Sequence, residues 1–139
     1  MTLAEIVKKI EGVASVQPSI KTIVPNDVFK LNAMADVEYG VFAWTQGQHS
    51  SSLDNMITYQ FTLIYVDRLR SDLSNQVEVQ SVGVSTLGNI IKSLEEQQVF
   101  PPALITFQTF NQRFLDECAG VFCNVAFDVP MDFVCAENY

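Results

Sequence analysis

The stretch FLDECAGVFC, residues 114 to 123, sets Cys118 and Cys123 among Asp116, Glu117 and a small-residue turn. Side chains so spaced could bind a metal, form a redox pair or supply a nucleophile. The rest of the chain weighs against all three. A structural zinc site takes about four Cys or His ligands, yet there is no C-x-x-C, and the one histidine, His49, is distant in sequence. If GVFCNVAF is a strand, Cys123 shares the face of Val121, Val125 and Phe127, where cysteine behaves as a small hydrophobe. Cys118 then belongs to the opposite face, unless Ala119–Gly120 breaks the register. Structural cysteines are the expectation, Cys123 in the core and Cys118 near a turn.

His49 is followed by Ser50, Ser51 and Ser52, with Asp54 close by. These are the residue types of a catalytic triad. Neighbours in one polar loop cannot hold base, nucleophile and orienting carboxylate rigidly, and no nucleophile-elbow pattern appears. Asp116, Glu117, Asp128 and Asp132 match no calcium-loop spacing. A solvated turn, with Arg113 as a partner, accounts for them. In DRLRSD, Arg68 and Arg70 stand beside Asp67, Asp72 and, upstream, Asp54. This reads as an ion-pair network at a strand end or subunit contact, although each exposed pair contributes little. No glycine-rich phosphate loop is present. The residues therefore name no cofactor, no metal and no enzyme.

A chain of 139 residues favours one domain, spanning 1–139, long enough to bury a core without disulfides or metal. It is apolar for its size, with a mean hydropathy of +0.17 and 48% aliphatic, aromatic and cysteine residues. A lone copy would then show apolar surface to water, which marks protein partners. The net charge of −8 argues against a nucleic-acid grip, which needs a basic face. An acidic wall would instead let DNA slide past. Three cysteines leave one over from any pairing, so reduced thiols in a cytosolic setting fit best. No secretory signal and no bilayer-spanning stretch is visible.

These side chains need elements to position them. TLAEIVKKIEGVASV reads as an amphipathic helix, with Leu3, Ile6, Val7, Ile10, Val13 and Ala14 on one stripe and a Thr2–Glu5 capping box. Pro18 and Pro25 bound an irregular link. VFKLNAMAD and EYGVFAWTQ read as strands, joined to the next by a polar hairpin loop, residues 46–55. ITYQFTLIYV alternates strictly. Ile57, Tyr59, Phe61, Leu63 and Tyr65 form a core face, and the other face turns from polar at Thr58, Gln60 and Thr62 to apolar at Ile64 and Val66.

A second helix is expected from Asn75 to about Gln97. Its stripe is Val77, Val84, Leu87, Ile91 and Leu94, flanked by Val82 and Ile90, and Asn75–Glu78 has cap-box spacing. Gly83 and Gly88 weaken this helix and would allow close approach of a neighbour. Glu95 and Glu96 stand in its last turn, where the helix dipole disfavours them, and a basic group from another subunit would ease this. ALITFQTF and AGVFCNVAFDV read as closing strands, followed by an apolar tail, 130–139. The fold class is α+β, a mostly antiparallel sheet with two helices packed on one face.

The segments MITYQFTLIYVDRLRSDLSNQVEVQSVGVSTLGNII and FQTFNQRFLDECAGVFCNVAFDVP carry a resemblance. A long strand enters a polar YVDRL turn and a helix, and two strands follow, the last entered through DECAGV. This resembles the tail-terminator-like neck and tail-completion proteins of tailed bacteriophages, most of all those of Bacteroides-type and crAss-like phages. The likeness in element order covers nearly the whole chain, and its motifs are not catalytic.

The resemblance implies a virion protein, made in the host bacterial cytoplasm, that forms a cyclic homo-oligomer around the DNA channel. It implies portal, neck or tail proteins as neighbours, no membrane, and no active-site residues to carry over. The candidate subunit-interface residues are Gln48, His49 and Ser51 in the polar loop, Arg68 and Arg70, Glu95 and Glu96, and Phe133 and Tyr139 in the tail. The rival readings are a non-virion adaptor or scaffold of a tube-like assembly, and a small enzyme.

Overall fold

The structure, a computed structural model, describes residues 2–25, 39–51, 56–69, 74–97, 105–113 and 117–130. Its elements run α1 (Leu3–Ser15), β1 (Thr22–Pro25), β2 (Val41–Gln46), β3 (Ser50–Ser51), β4 (Met56–Arg68), α2 (Gln76–Glu96), β5 (Phe107–Arg113) and β6 (Glu117–Pro130). The strands form one sheet in the order β1-β2-β4-β6-β5, with β3 added beside β4. Among the described residues only β1 and β2 run parallel, and every other pair is antiparallel. Both helices cover one face, giving the expected α+β architecture.

The long hairpin-like pair β4–β6 is the spine, in unbroken register from Met56 opposite Pro130 to Arg68 opposite Cys118. The alternation of β4 is realised as read. Phe61, Leu63 and Tyr65 are buried under the helices, together with Val121, Cys123, Val125, Phe127 and Val129 of β6. Ile6, Ile10, Val13 and Ala14 of α1 join them. Side chains of this kind each contribute roughly 1.5–3 kcal/mol on full burial. Thr2 caps α1, its Oγ1 accepting the Glu5 N–H at 3.2 Å and donating to Glu5 Oε1 at 3.3 Å.

Several expectations need correction. The link between Pro18 and Pro25 contains β1, whose Ile23 and Val24 alternate between the two faces and extend the sheet beyond β2. The stripe of α2 is rotated in its first half. Val77, Val82 and Val84 are 75%, 42% and 39% exposed, whereas Val79, Gly83 and Thr86 face inward with Leu87, Ile90, Ile91 and Leu94. Asn75 makes no side-chain cap, and its Nδ2 instead donates to the Arg68 carbonyl at 3.4 Å, tying the helix start to the end of β4. β5 begins later than read, at Phe107. The strand expected at residues 28–36 and the tail at 131–139 lie outside the described residues.

Gly83 explains why α2 rolls as it does. A Cβ there would stand 2.8 Å from Val121 Cγ2 and 3.1 Å from Tyr65 Cδ2, so the missing side chain lets the helix backbone settle onto β4 and β6. Gly88 has open space around its Cα and no such role. Thr86, the one buried polar residue of α2, shares a hydrogen bond with Ser19 at 2.6 Å and fastens the helix to the link between α1 and β1.

The face away from the helices is divided. At one end Val24, Val41, Ala43, Ile64, Val66 and Cys118 form a second buried cluster, with the rings of Phe110 and Phe122 beside it, tilted to each other at 6.1 Å. At the other end the same strands carry Thr58, Gln60 and Thr62 against Asp128, Ala126 and Asn124.

Candidate functional site

The two cysteines do not form a site. Cys118 and Cys123 are both fully buried and neither is in a disulfide, and β6 is continuous between them, so they lie on opposite faces. Cys118 is the second residue of β6. Burial pushes the Cys123 thiol up to about 12, so at neutral pH it is protonated and a poor nucleophile. Among the described residues, no group of three or more His, Cys, Asp or Glu is gathered to hold a metal.

His49 is held more firmly than a loop position suggests. Gln46 faces Phe61 and Ser50 faces Thr58, so β2 and β3 are one interrupted strand with an extra residue, a bulge, against β4. The Gly47 N–H donates to the Gln60 carbonyl at 2.7 Å. The Gln60 N–H in turn donates to His49 Nδ1 at 3.2 Å. His49 Nε2 lies 2.9 Å from Gln46 Oε1, which fixes the tautomer with the proton on Nε2, donated to that amide oxygen. The ring stands edge-on to Tyr59 at 5.3 Å. Both nitrogens are engaged in structure, and Ser50 and Ser51 are exposed residues whose backbones pair with β4. Gln48 and Ser51 are exposed. Ser52 and Asp54 lie outside the described residues.

At the other end of β4, Arg68 places its guanidinium over the Tyr39 ring, 5.1 Å from the centroid. Its neighbour Asp67 accepts the Tyr65 hydroxyl at 3.3 Å and the Arg68 N–H at 2.8 Å. Burial first, and then the Asp67 charge, push the Tyr65 hydroxyl well above the ordinary tyrosine range. Asp67 is thus an acceptor for both a backbone amide and a tyrosine hydroxyl. Arg70, Asp72, Phe133 and Tyr139 lie outside the described residues, as do Asp116 and Asp132. The backbones of Arg113 and Glu117 are partners in the β5–β6 register. Glu95 and Glu96 are exposed at the end of α2, which has no basic residue in its last turn. The described candidates are therefore dispersed over both ends of the sheet and one helix terminus.

What the structure does bring together is the polar half of the outer sheet face. Thr58 Oγ1 donates to Asp128 Oδ1 at 2.5 Å, and Thr62 Oγ1 donates to Asn124 Oδ1 at 2.7 Å. These cross-strand pairs leave a shelf of hydroxyl, amide and carboxylate groups. An open groove of about 320 Å³ runs across it, lined by Gly47, Gln60, Thr62, Asn124 and Ala126 among others. The alternation of β4 pointed to half of this surface. Its β6 partners Asn124 and Asp128 were hidden by the apolar residues between them.

No helix among the described residues is long and apolar enough to cross a membrane. In comparison with known proteins, the chain matches no family model, and no curated protein matches it.

Proposed function

We propose that this chain is a structural virion protein, a tail-terminator-like subunit of a ring at the neck or tail end of a tailed bacteriophage. In that role it forms part of the DNA channel and joins head to tail. It meets copies of itself and neighbouring portal, neck or tail proteins, and it is made in the host bacterial cytoplasm.

The observation that carries this reading is the uncovered polar half of the outer sheet face. Thr58, Gln60, Thr62, Asn124 and Asp128 present hydrogen-bonding groups and one carboxylate there, with no lysine or arginine interleaved among them. A basic surface would displace counterions and hold DNA. This one suits a wall past which a polyanion moves without being held, and the chain's charge of −8 has the same sense.

Native mass spectrometry of the purified chain, with negative-stain imaging of large species, tests the proposal. A closed ring with a central hole is the expected result. A monomer at every concentration, with the protein absent from purified particles, would sink it.

A further inference from the structure

Among the described residues the sheet ends at β5, and the helices lie mainly over other strands. α2 lies over β4 and β6, and α1 packs against α2 and β1. Phe107 still reaches the core, but Thr109 and Asn111 on the same face are exposed, as is Gln108 on the other. Among the described residues β5 pairs with β6 alone, so its outer edge presents backbone donors and acceptors. Natural edge strands are blunted by lysine, proline or a bulge. β5 holds no proline, its one charged residue is Arg113 at its end, and its register with β6 is unbroken. An edge with no bulge and no charge before its last residue is a template for another chain. On the helix beside it, Val77 and Val84 fall on one outward stripe.

Charge says which chain. The α1–β1 side carries Lys8, Lys9 and Lys21 against Glu5 and Glu11, and Glu11 is engaged by the Trp44 indole at 3.0 Å. The α2 side carries Glu78, Glu95 and Glu96 against Lys92, with the last two at the negative end of the helix dipole. The helix layer is thus basic on one flank and acidic on the other.

We infer that the β5 edge and the α2 flank receive the α1–β1 side of a second copy, in a head-to-tail contact. Two β5 edges meeting about a two-fold axis would set α2 against α2, acid against acid. The head-to-tail arrangement sets acid against base, covers the exposed valines and repeats from copy to copy, which is how a ring closes. This specifies the contact within the homo-oligomer proposed above and rests on that proposal.

The test uses native mass spectrometry and sedimentation velocity on the full chain, with thermal melts to check that each variant folds. The double variant Thr109→Lys/Asn111→Lys adds charge at exposed positions of the edge. It should weaken association by about tenfold or more, as like charges opposed at an interface do. Glu95→Lys/Glu96→Lys should weaken it too, and adding Lys8→Glu/Lys9→Glu in the same chain should restore it. An oligomer whose mass and dissociation are untouched by all of these overturns the contact and leaves the ring reading standing. A wild-type chain that is monomeric at every concentration overturns the contact, and its absence from particles then overturns the ring reading as well.

Discussion

Cys118 and Cys123 stand on one unbroken strand with their side chains on opposite faces of the sheet, each in its own buried cluster. Neither can reach the other, and neither thiol meets solvent. Cys123→Ala should therefore cost about 1–2 kcal/mol, the transfer and cavity terms of a small buried group. Cys118→Ser should cost a similar amount, because a smaller and more strongly hydrated hydroxyl replaces a fully buried thiol. Oligomer mass should not change in either. Urea titrations give the stabilities, and Ellman's reagent should label these two positions only as the chain unfolds. Rapid labelling of either in the native protein would contradict the burial.

Alkaline stability follows from the same strand and its partner. The Cys123 thiol is raised to about 12 by burial, above the ordinary thiol value of 9.0, and the Tyr65 hydroxyl is raised above its ordinary 10.0. An acid whose folded pKa is raised keeps its proton in the native state while the unfolded chain gives it up. Its contribution is whole below the unfolded pKa and is lost as pH climbs toward the folded one. Stability should hold below about pH 9 and then fall, with each such group adding a slope of up to about 1.4 kcal/mol per pH unit. Cys123→Ala should remove one group's share of the slope between pH 9 and 12, measured by urea unfolding at stepped pH.

Gly83 and Gly88 look alike in sequence and should respond with opposite sign to alanine. At Gly83 the new methyl meets Val121 and Tyr65 too closely, so Gly83→Ala should lose about 1–2 kcal/mol even after the gain in helix propensity. Gly88 has nothing within 4 Å, so Gly88→Ala should gain about 0.5–1 kcal/mol from the helix backbone alone. The two melting temperatures, taken side by side, decide this.

The same glycine shows why α2 was only half legible. Leu87, Ile90, Ile91 and Leu94 announce a buried face by their size. In the first half of the helix the contact is made through Gly83 and Thr86, which hydropathy ignores, while Val77, Val82 and Val84 are apolar and turned outward. β4 was legible because a period of two admits only two faces and one of them is all apolar. The polar shelf was half visible, since its Thr58–Asp128 and Thr62–Asn124 pairs join residues about seventy and sixty positions apart, a matter of register that no local pattern encodes. β1 was hidden by its length and by Pro25. Its place depends on β2 offering a parallel edge rather than on its own four residues.

Trp44, the chain's one tryptophan, ties the sheet to α1, its Nε1 donating to Glu11 Oε2 at 3.0 Å. The ring is nearly fully buried and meets Phe61 edge-on at 6.0 Å. Glu11→Ala removes the acceptor and leaves the indole N–H without it, which should cost about 1–2 kcal/mol. Trp44→Phe keeps most of the ring and loses the donor, with a loss of similar size. The double variant should cost less than the two single losses added together, because the bond can be lost only once. Trp44 fluorescence should also change in Glu11→Ala while the urea transition stays cooperative.

His49 offers a test of the bulge between β2 and β3. Its Nδ1 takes the Gln60 N–H, and its Nε2 proton goes to Gln46, so one ring closes the gap that the extra residue opens. In His49→Ala the Gln60 amide passes to water, and its hydrogen exchange should quicken markedly. Amides deep in β4, such as that of Leu63, should keep their protection, since β2 and β6 flank them on both sides. The Gly47 N–H bond to the Gln60 carbonyl should survive in part, because it belongs to the backbone ladder rather than to the ring. Uniform acceleration along β4 would mean that the histidine supports the whole strand. No change at Gln60 would mean that the ring contributes nothing to closing the bulge.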